Sequence, residues 1–547
     1  MKKINIIALS LITSVSLQAA NIPNIGDALK QVTPPKIQEQ NVELPKLEQK
    51  QDIKKILKDG KKVLIKEIKL EGNIHLDNKE FEELLKPHKN VKLSFADIQE
   101  ISSEITKIYR KSGYFVARAY IPQQNIFKQD RVLKIGVIEG NYGKFNLENN
   151  SLVKDSILQA NLDDIKDKNI VSTDTLERAM LIINATPGSV VNKAEVRPGE
   201  KLGTSDFIIG TAATNRYSGY ILADNYGSQY TGEHRLMAGV DINSPFKIGD
   251  KITAFALTSQ NTGLLNGRIS YDFPLNQNGL RGEVSVSKTS YELGDSYKDL
   301  DAIGSSNSVS LKISYPYIKS RLENLDVYFE VSYNDMLDEI KATSTKTDKE
   351  STVGKVGLDY TKDLVLFTKN AQSKASMSLT FGDLDDKENE YTDGNFKKIN
   401  IELGQDFQLN RALRWENSLQ YQHALKNKNL DGSEDLSIGG ANGVKFYPSG
   451  EQSAENGYIF NTELIYNLPT YKALSSKVSA FYDVARVYEN INISGDKSNT
   501  YQDVGLGYYA TYKSFFLNTH LSKGIGYKVQ SQNKYENRFM FQAGFAF

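Results

Sequence analysis

The sequence predicts two small α+β modules in tandem, followed by an all-β domain of roughly sixteen antiparallel strands closed into a transmembrane barrel. Three observations carry that expectation. The chain opens on an export signal, Met1 to Ala20. Residues 63–140 and 141–212 repeat one order of strands and helices. From about Asn215 helical periodicity gives way to strands with one apolar and one wet face, and the last ends on an aromatic, Phe547.

Lys2 and Lys3 form the basic start of the signal, Ile4 to Val15 its apolar run, and Leu17-Gln18-Ala19-Ala20 its small-residue exit. Beyond it no run of eighteen apolar residues follows, so no spanning helix is expected. Lys plus Arg and Asp plus Glu are both 67, so no net field points to nucleic acid. The chain has no cysteine, which excludes disulfides and thiolate chemistry. Its five histidines show no HExxH or clustered spacing, so neither a metal site nor a cofactor is expected. Abundant tyrosine (30) and glycine (39) suit a β-rich protein.

Residues 21–36 hold a short helix, Asn24 to Val32, with Ile25, Ala28, Leu29 and Val32 on one stripe and Pro34-Pro35 after it. A helix of about nine residues is marginal in water, so it must dock or fray. Residues 37–62 are charged, glutamine-rich and aperiodic, and read as a linker. In the first module, 63–140, Val63 to Leu70 reads as a strand. Asp77 with Glu80 reads as a capping box for a helix carrying Phe81, Leu84 and Leu85. Ser94 with Asp97 caps a second helix with a stripe from Phe95 to Tyr109, and strands Phe115 to Ile121 and Arg131 to Glu139 follow. The second module, 141–212, repeats this order: strand Gly143 to Leu147, helices Ser151 to Ala160 and Thr173 to Ala185, strands Val190 to Val196 and Asp206 to Ala212. Neither copy looks catalytic; an open sheet edge could bind an extended peptide by strand addition.

The barrel occupies 213–547. In Leu325 to Asn334, Leu325, Val327, Phe329, Val331 and Tyr333 face one way and polar residues the other. Ten tilted residues are about what a bilayer core demands, more than most soluble strands supply. The 333 residues from Asn215 allow roughly sixteen strands at about twenty residues each, with long loops at 385–394 and 426–434. In the last strand Phe539, Phe541, Ala543, Phe545 and Phe547 share a face; zipping it to the first strand leaves no edge.

The stretch 439–451 holds four glycines and a proline, an irregular loop by composition, yet it carries Val444, Phe446 and Tyr447. A loop with apolar residues at its centre packs into something. Its one cation, Lys445, then needs an anion, and Asp483 in Phe481-Tyr482-Asp483 offers one. An exposed hairpin loop with an unpaired lysine fits the same residues.

Taken in order, signal, short helix, linker, paired modules and barrel resemble the two-partner secretion transporters, the outer-membrane pores that export one large haemolysin- or adhesin-like protein. Asp224-Asn225-Tyr226-Gly227-Ser228 with Tyr230-Thr231-Gly232, Tyr271-Asp272-Phe273-Pro274, and Gly439 to Glu451 with Gly457-Tyr458 and Glu463 to Pro469 are similar to that family's motifs in order and spacing. The resemblance implies two periplasmic POTRA modules, a plug helix bearing Ile25, Leu29 and Val32, and a pore loop folded into the barrel. Its tip would be Val444, Phe446, Tyr447 and Pro448, locked by Lys445 to Asp483. It also implies a non-enzymatic protein, a secreted exoprotein of haemolysin or adhesin type as partner, contact with outer-membrane lipid, and terminal phenylalanines 539, 541, 545 and 547 read by the barrel-assembly machinery. Lysine stands where the family usually has arginine, and it cannot make arginine's planar two-point contact with a carboxylate. A barrel-assembly insertase of the same superfamily is the alternative, but insertases more often carry three to five modules. A barrel enzyme would need a nucleophile and base, whereas His234 and His423 stand isolated. A passive porin needs no modules in front.

Overall fold

The computed structural model describes residues 22–32, 34, 44–45, 48–49, 61–166, 170–425, 428–450, 452–491, 498–527 and 536–547. The predicted signal and most of the predicted linker lie outside them.

The first element is a short helix, α1 (Ile25–Lys30). Asn24 caps it by accepting from the Gly26 amide, and Asp27 reaches back to the Asn24 amide. The expected helix is shorter at its end because Gln31 already serves as C-cap. Part of the linker is structured: Leu44 is buried in the second module, and β1 (Glu48–Gln49) runs parallel to Glu195 and Val196.

The first module contains β2 (Val63–Ile65), β3 (Glu67–Glu71), α2 (Glu82–Leu85), β4 (Val91–Leu93), α3 (Phe95–Lys111), β5 (Arg118–Tyr120) and β6 (Val132–Ile138). The single strand expected over 63–70 is broken at Lys66. There the amide bonds to Arg131 O (2.9 Å), so β2 pairs with β4 while β3 pairs with β6. The Asp77–Glu80 box is replaced by one bond from the Lys79 amide to Asp77, which starts a 3₁₀ turn; α2 is a single turn between two such turns. The Ser94–Asp97 box is formed, and α3 buries Ile98, Ile101, Ile105 and Tyr109 against Phe81, Leu133 and Ile135. The expected strand 115–121 shrinks to β5 because the Ala117 amide turns back to Tyr114 O.

The second module has β7 (Asn141–Asn150), α4 (Asp155–Lys166), α5 (Thr173–Ala185), β8 (Val190–Pro198) and β9 (Thr204–Ala212), with sheet order β1-β8-β9-β7. Here α5 covers the predicted residues, but α4 starts four later than predicted. The side chains of Asn149 and Ser151 accept from the Ser151 and Val153 amides and hold that stretch as a turn. The two modules join at Gly113, whose carbonyl accepts from both the amide and the hydroxyl of Thr173 (2.8 and 3.0 Å), and at Gly140 (φ +92°). A Cβ at Gly140 would sit 2.5 Å from the Val116 side chain. Beside it, buried Glu139 accepts from the Ile74 and His75 amides (2.8 Å each), the Tyr109 hydroxyl (3.0 Å) and the His75 ring (2.7 Å).

The remaining chain forms a barrel. Its first half is β10 (Tyr217–Asp224), β11 (Arg235–Asn243), β12 (Lys251–Ser259), β13 (Leu264–Pro274), β14 (Arg281–Glu292), β15 (Ala302–Lys319), β16 (Glu323–Ile340) and β17 (Thr345–Leu366). Next come β18 (Lys369–Asp385), β19 (Gly394–Gln408) and β20 (Leu413–Ala424), and then β21 (Leu436–Ser437) and β22 (Ser453–Ala454), which pair with each other outside the wall. The wall resumes with β23 (Asn456–Asn467), β24 (Leu474–Tyr488), β25 (Thr500–Tyr512), β26 (Phe515–Gly524) and β27 (Arg538–Ala546). Sixteen antiparallel strands close, β10 pairing with β27 from Tyr220↔Ala546 to Asp224↔Gln542. Gly219 and Phe547 exchange backbone bonds at 3.0 Å beyond that ladder. Outward residues such as Ile221, Leu236, Leu265, Phe329 and Phe539 are exposed for lipid, while their neighbours Leu222, Met237 and Leu264 are buried inside. The second module grips the near rim through Arg178 to Pro316 O (2.6 Å) and Arg321 to Glu177 (2.8 Å).

Burial pushes the Glu139 carboxyl up, but the hydrogen bonds from His75, Tyr109 and Ile74 outweigh it and hold the group below the ordinary carboxylate value. Its folded pKa lies below its unfolded one, so the stabilisation is complete above the unfolded value and fades as pH falls through the folded one. Glu139→Gln is expected to lower first-module stability by about 2 kcal/mol at pH 7. Protection of the Ile74 and His75 amides against hydrogen exchange checks this, and parent and variant should converge once the pH falls below the folded value.

Candidate functional site

Two segments that belong to no wall strand fill the barrel lumen. The first is α1. Ile25 and Ala28 lie in an apolar cluster with Leu222, Met237, Leu264, Tyr291, Leu384 and Leu430, and Leu29 and Val32 pack against it. The amide of Ile25, at the start of the helix, donates to Asp338 Oδ1 (2.8 Å), which also accepts from the Tyr291 hydroxyl (2.7 Å). The far end is held at Gln31. Its side-chain oxygen accepts from the Ser228 amide (2.9 Å) and Thr231 hydroxyl (3.2 Å), and its carbonyl from Arg235 (2.6 Å). Arg235 is itself paired with buried Asp224 (2.8 and 2.9 Å).

Gly26 faces the turn 432–434 at the base of the second segment. A Cβ there would collide with the Ser433 amide nitrogen and lie 2.5 Å from the Gly432 carbonyl carbon. Asp431 caps this turn through Ser433 (3.0 Å) and ties it to the wall through Lys349 (2.7 Å).

The second segment is the loop between β21 and β22. It turns back on itself through Val444 N to Ile438 O (2.7 Å) and Gly440 N to Tyr447 O (2.8 Å). Gly439 lets the Pro448 carbonyl approach its Cα closely, and Gly440 adopts φ +91°. Val444, Phe446, Tyr447 and Pro448 are buried, the first three among Ile438, Ile459, Ala485, Val487 and Tyr501. Lys445 Nζ stands 2.9 and 3.2 Å from the two Asp483 oxygens and 4.2 Å over the Phe481 ring. Asn461 Nδ2 donates to both Asp483 Oδ1 and Gly443 O (2.8 Å each). The Tyr447 hydroxyl donates to Tyr527 O (2.8 Å) and the Ser449 hydroxyl to Tyr226 O (2.9 Å). The ion pair is desolvated, with side-chain exposures of 9% and 0%. Deleting one partner of such a pair strands a buried charge, at a cost of about 3–5 kcal/mol, well above a solvated pair's worth.

The predicted residues thus fall into three places. Ile25, Leu29 and Val32 line the helix face in the lumen, and Lys445 meets Asp483 at the loop tip. Phe539, Phe541, Phe545 and Phe547 lie on the opposite, lipid face of the wall beside the closing seam, where neighbouring rings stack at 6.5 and 6.0 Å. Gln31, Gly26 and Asp338 were missed, because their partners lie about two hundred or more residues away and no local pattern marks them. His234 lies beside Phe541 and His423 bonds Asn456, and no group of three metal-binding side chains occurs among the described residues.

Residues 203–507 match the model of the haemolysin secretion/activation protein family ShlB/FhaC/HecB, and residues 63–140 match the ShlB-type POTRA domain. The heme/hemopexin transporter protein HuxB of Haemophilus influenzae (strain Rd) is 26% identical over 498 residues, 88% of this chain and 86% of that one. Among solved structures, CdiB from Escherichia coli covers 96% of this chain and 95% of its own at TM-score 0.73 and 16% identity. BamA from Haemophilus ducreyi lacking POTRA domains 1–3 aligns at TM-score 0.51 and 15% identity over 89% of this chain and all of its own; it shares the fold.

The contact at Gly26 yields a direct test of what the helix does. Gly26→Leu leaves every polar partner in place but cannot fit against Gly432–Ser433, so α1 should leave the lumen. Single-channel conductance in planar bilayers is expected to rise several-fold; unchanged current would mean that the helix does not obstruct the pore.

Proposed function

Because the chain belongs to the haemolysin secretion/activation protein family (ShlB/FhaC/HecB), we propose that its partner is a haemolysin- or adhesin-type exoprotein, captured unfolded and threaded through the lumen past α1 and the loop at 439–451. The chain is an outer-membrane transporter of two-partner secretion, with POTRA domains in the periplasm and no catalytic role. Capture is assigned to the module sheets. In the second, β7 is an outer strand and offers an edge to an extended chain. In the first, the central amide of the outer strand β5, Ala119, is already taken by the Thr106 hydroxyl (2.9 Å), which leaves β3 as the other outer strand. Sequence-tolerant main-chain pairing suits a partner that has not yet folded.

The observation that carries the reading is the way the lumen is filled. A wall of sixteen strands encloses two segments seated by a small apolar cluster and a few polar contacts. Such seats can be vacated without unfolding the barrel. At rest α1 would act as plug and Lys445–Asp483 as the lock on the loop; during export both would give way. No phosphate-binding GxxxxGK[ST] stretch occurs in the sequence, so direction is assigned to folding of the exported chain outside the cell. The outward apolar band meets outer-membrane lipid, and Phe539 to Phe547 is assigned as the segment that the barrel-assembly machinery reads.

Deleting the gene tests the reading. One large exoprotein should vanish from the culture medium while the other outer-membrane barrels keep their abundance. General depletion of barrels, with secretion otherwise intact, would instead indicate an insertase.

A further inference from the structure

Four adjacent strands each present one residue to the loop tip. Asn461 of β23 stands opposite Asp483 of β24, Asp483 opposite Asp503 of β25, and Asp503 opposite Gly524 of β26. The loop meets this row in order. Asn461 donates to Gly443 O (2.8 Å) and Asp483 takes the Lys445 ammonium (2.9 Å). Asp503 Oδ2 accepts the Phe446 amide (2.6 Å), and bare Gly524 leaves space for the Phe446 ring, which a Cβ would meet at 2.6 Å.

Asp503 is the member that needs explaining. It is fully buried and stands directly opposite the buried Asp483 carboxyl, with which it shares a side-chain hydrogen bond. Two acidic groups set side by side in a buried ladder cannot both ionise there, and burying either is costly. Wall stability therefore gives no reason for an aspartate at this position. What the group does hold is one main-chain amide, that of the residue after Lys445.

We propose that Asp503 is a positioning residue for the pore loop: a second clasp that grips the tip's backbone at Phe446 while Asp483 grips the Lys445 side chain. A lysine ammonium is a point charge that leaves the tip free to swivel about it. The main chain of the tip is also held by Asn461 at Gly443 O (2.8 Å), by Asp483 at the Lys445 amide (3.4 Å) and by Arg538 at Lys445 O (3.3 Å). The Asp503 bond to the Phe446 amide is shorter than any of these, and the Phe446 ring seated over Gly524 fixes the same residue from its side chain. The proposal rests on the reading of 439–451 as a resting lock.

Purified full-length protein in planar bilayers tests it, with retained heat-modifiable mobility showing that each variant has folded. Asp503→Ala is expected to raise open probability about ten-fold, the factor that loss of one hydrogen bond of roughly 1.4 kcal/mol gives. Asp503→Asn keeps an acceptor oxygen and should behave as the parent. Gly524→Ala, which leaves every polar group intact but crowds the Phe446 ring, should open the channel as Asp503→Ala does. Lys445→Ala separates the two levels. If it opens the channel and Asp503→Ala does not, the second clasp is wrong and the lock stands. If neither changes the current, the lock itself is wrong. Opening by Asp503→Asn to the same extent as by Ala would show that charge acts here rather than the bond to Phe446, and would also overturn the proposal.

Discussion

The hydrocarbon interior of a membrane offers no partner to a peptide group, and the rest of this structure follows from that. Every strand crossing it must pair on both sides, so the sheet has to close on itself. Closure here is made by β10 and β27, and it extends to the last residue, where Gly219 and Phe547 exchange both backbone bonds. With sixteen strands the closed wall is too wide for its own side chains to fill, and a lumen is left over. An unobstructed hole of that size in the outer membrane would leak. The geometry that satisfies the backbone thereby creates the need for something inside.

What fills the lumen differs from a core in a telling way. The buried stripe of α1 is short, and its seat is completed by bonds at its two ends, Asp338 at Ile25 and Arg235 with Ser228 at Gln31. A six-residue helix has no stability of its own, so it is helical because it is docked. The loop is held by polar contacts and a compact apolar cluster at its tip, with its base tied by Asp431 to Lys349. Each segment is seated on the wall, whose sixteen strands pair with one another and with neither segment. That asymmetry is what the removable stopper proposed above would require.

Much of this was legible in the sequence because it is written in local periodicity. Period-2 alternation from Leu325 to Tyr333 marked membrane strands, the Ser94–Asp97 box marked α3, and aromatics in a glycine-rich loop marked a segment that packs inward. The misses share a cause, which is competition by contacts that local pattern does not encode. Lys66 bends a continuous β-type run because Arg131 supplies a partner there, and Asn149 with Ser151 holds as a turn the residues at which the second module's first helix was expected to begin. The linker read as featureless since its charges obscure Leu44, whose burial depends on a module still a hundred residues ahead. For the candidate site, the Lys445–Asp483 pairing was legible through the resemblance, whereas the anchoring of α1 at Gln31 and Asp338 was not, because it joins residues far apart in the chain to one face of a curved wall.

The two obstructions meet, and the meeting has a thermodynamic consequence. Gly26 of α1 lies against the backbone of Gly432–Ser433, and Lys349 stands near both Asp431, which caps that turn, and Asp338, which holds the start of the helix. Asp338, Lys349 and Asp431 therefore form one charged node shared by the helix and the loop base. Removing the helix takes the bond from Ile25 off Asp338 and uncovers the turn, which alters the charge balance that anchors the loop. Moving the loop withdraws Asp431 and the surface on which Gly26 rests. Coupling of this kind is reciprocal: whatever free energy the helix lends to the loop's resting position, the loop lends back to the helix. On the proposed reading, a polypeptide entering from the periplasmic side would meet two coupled barriers rather than two independent ones.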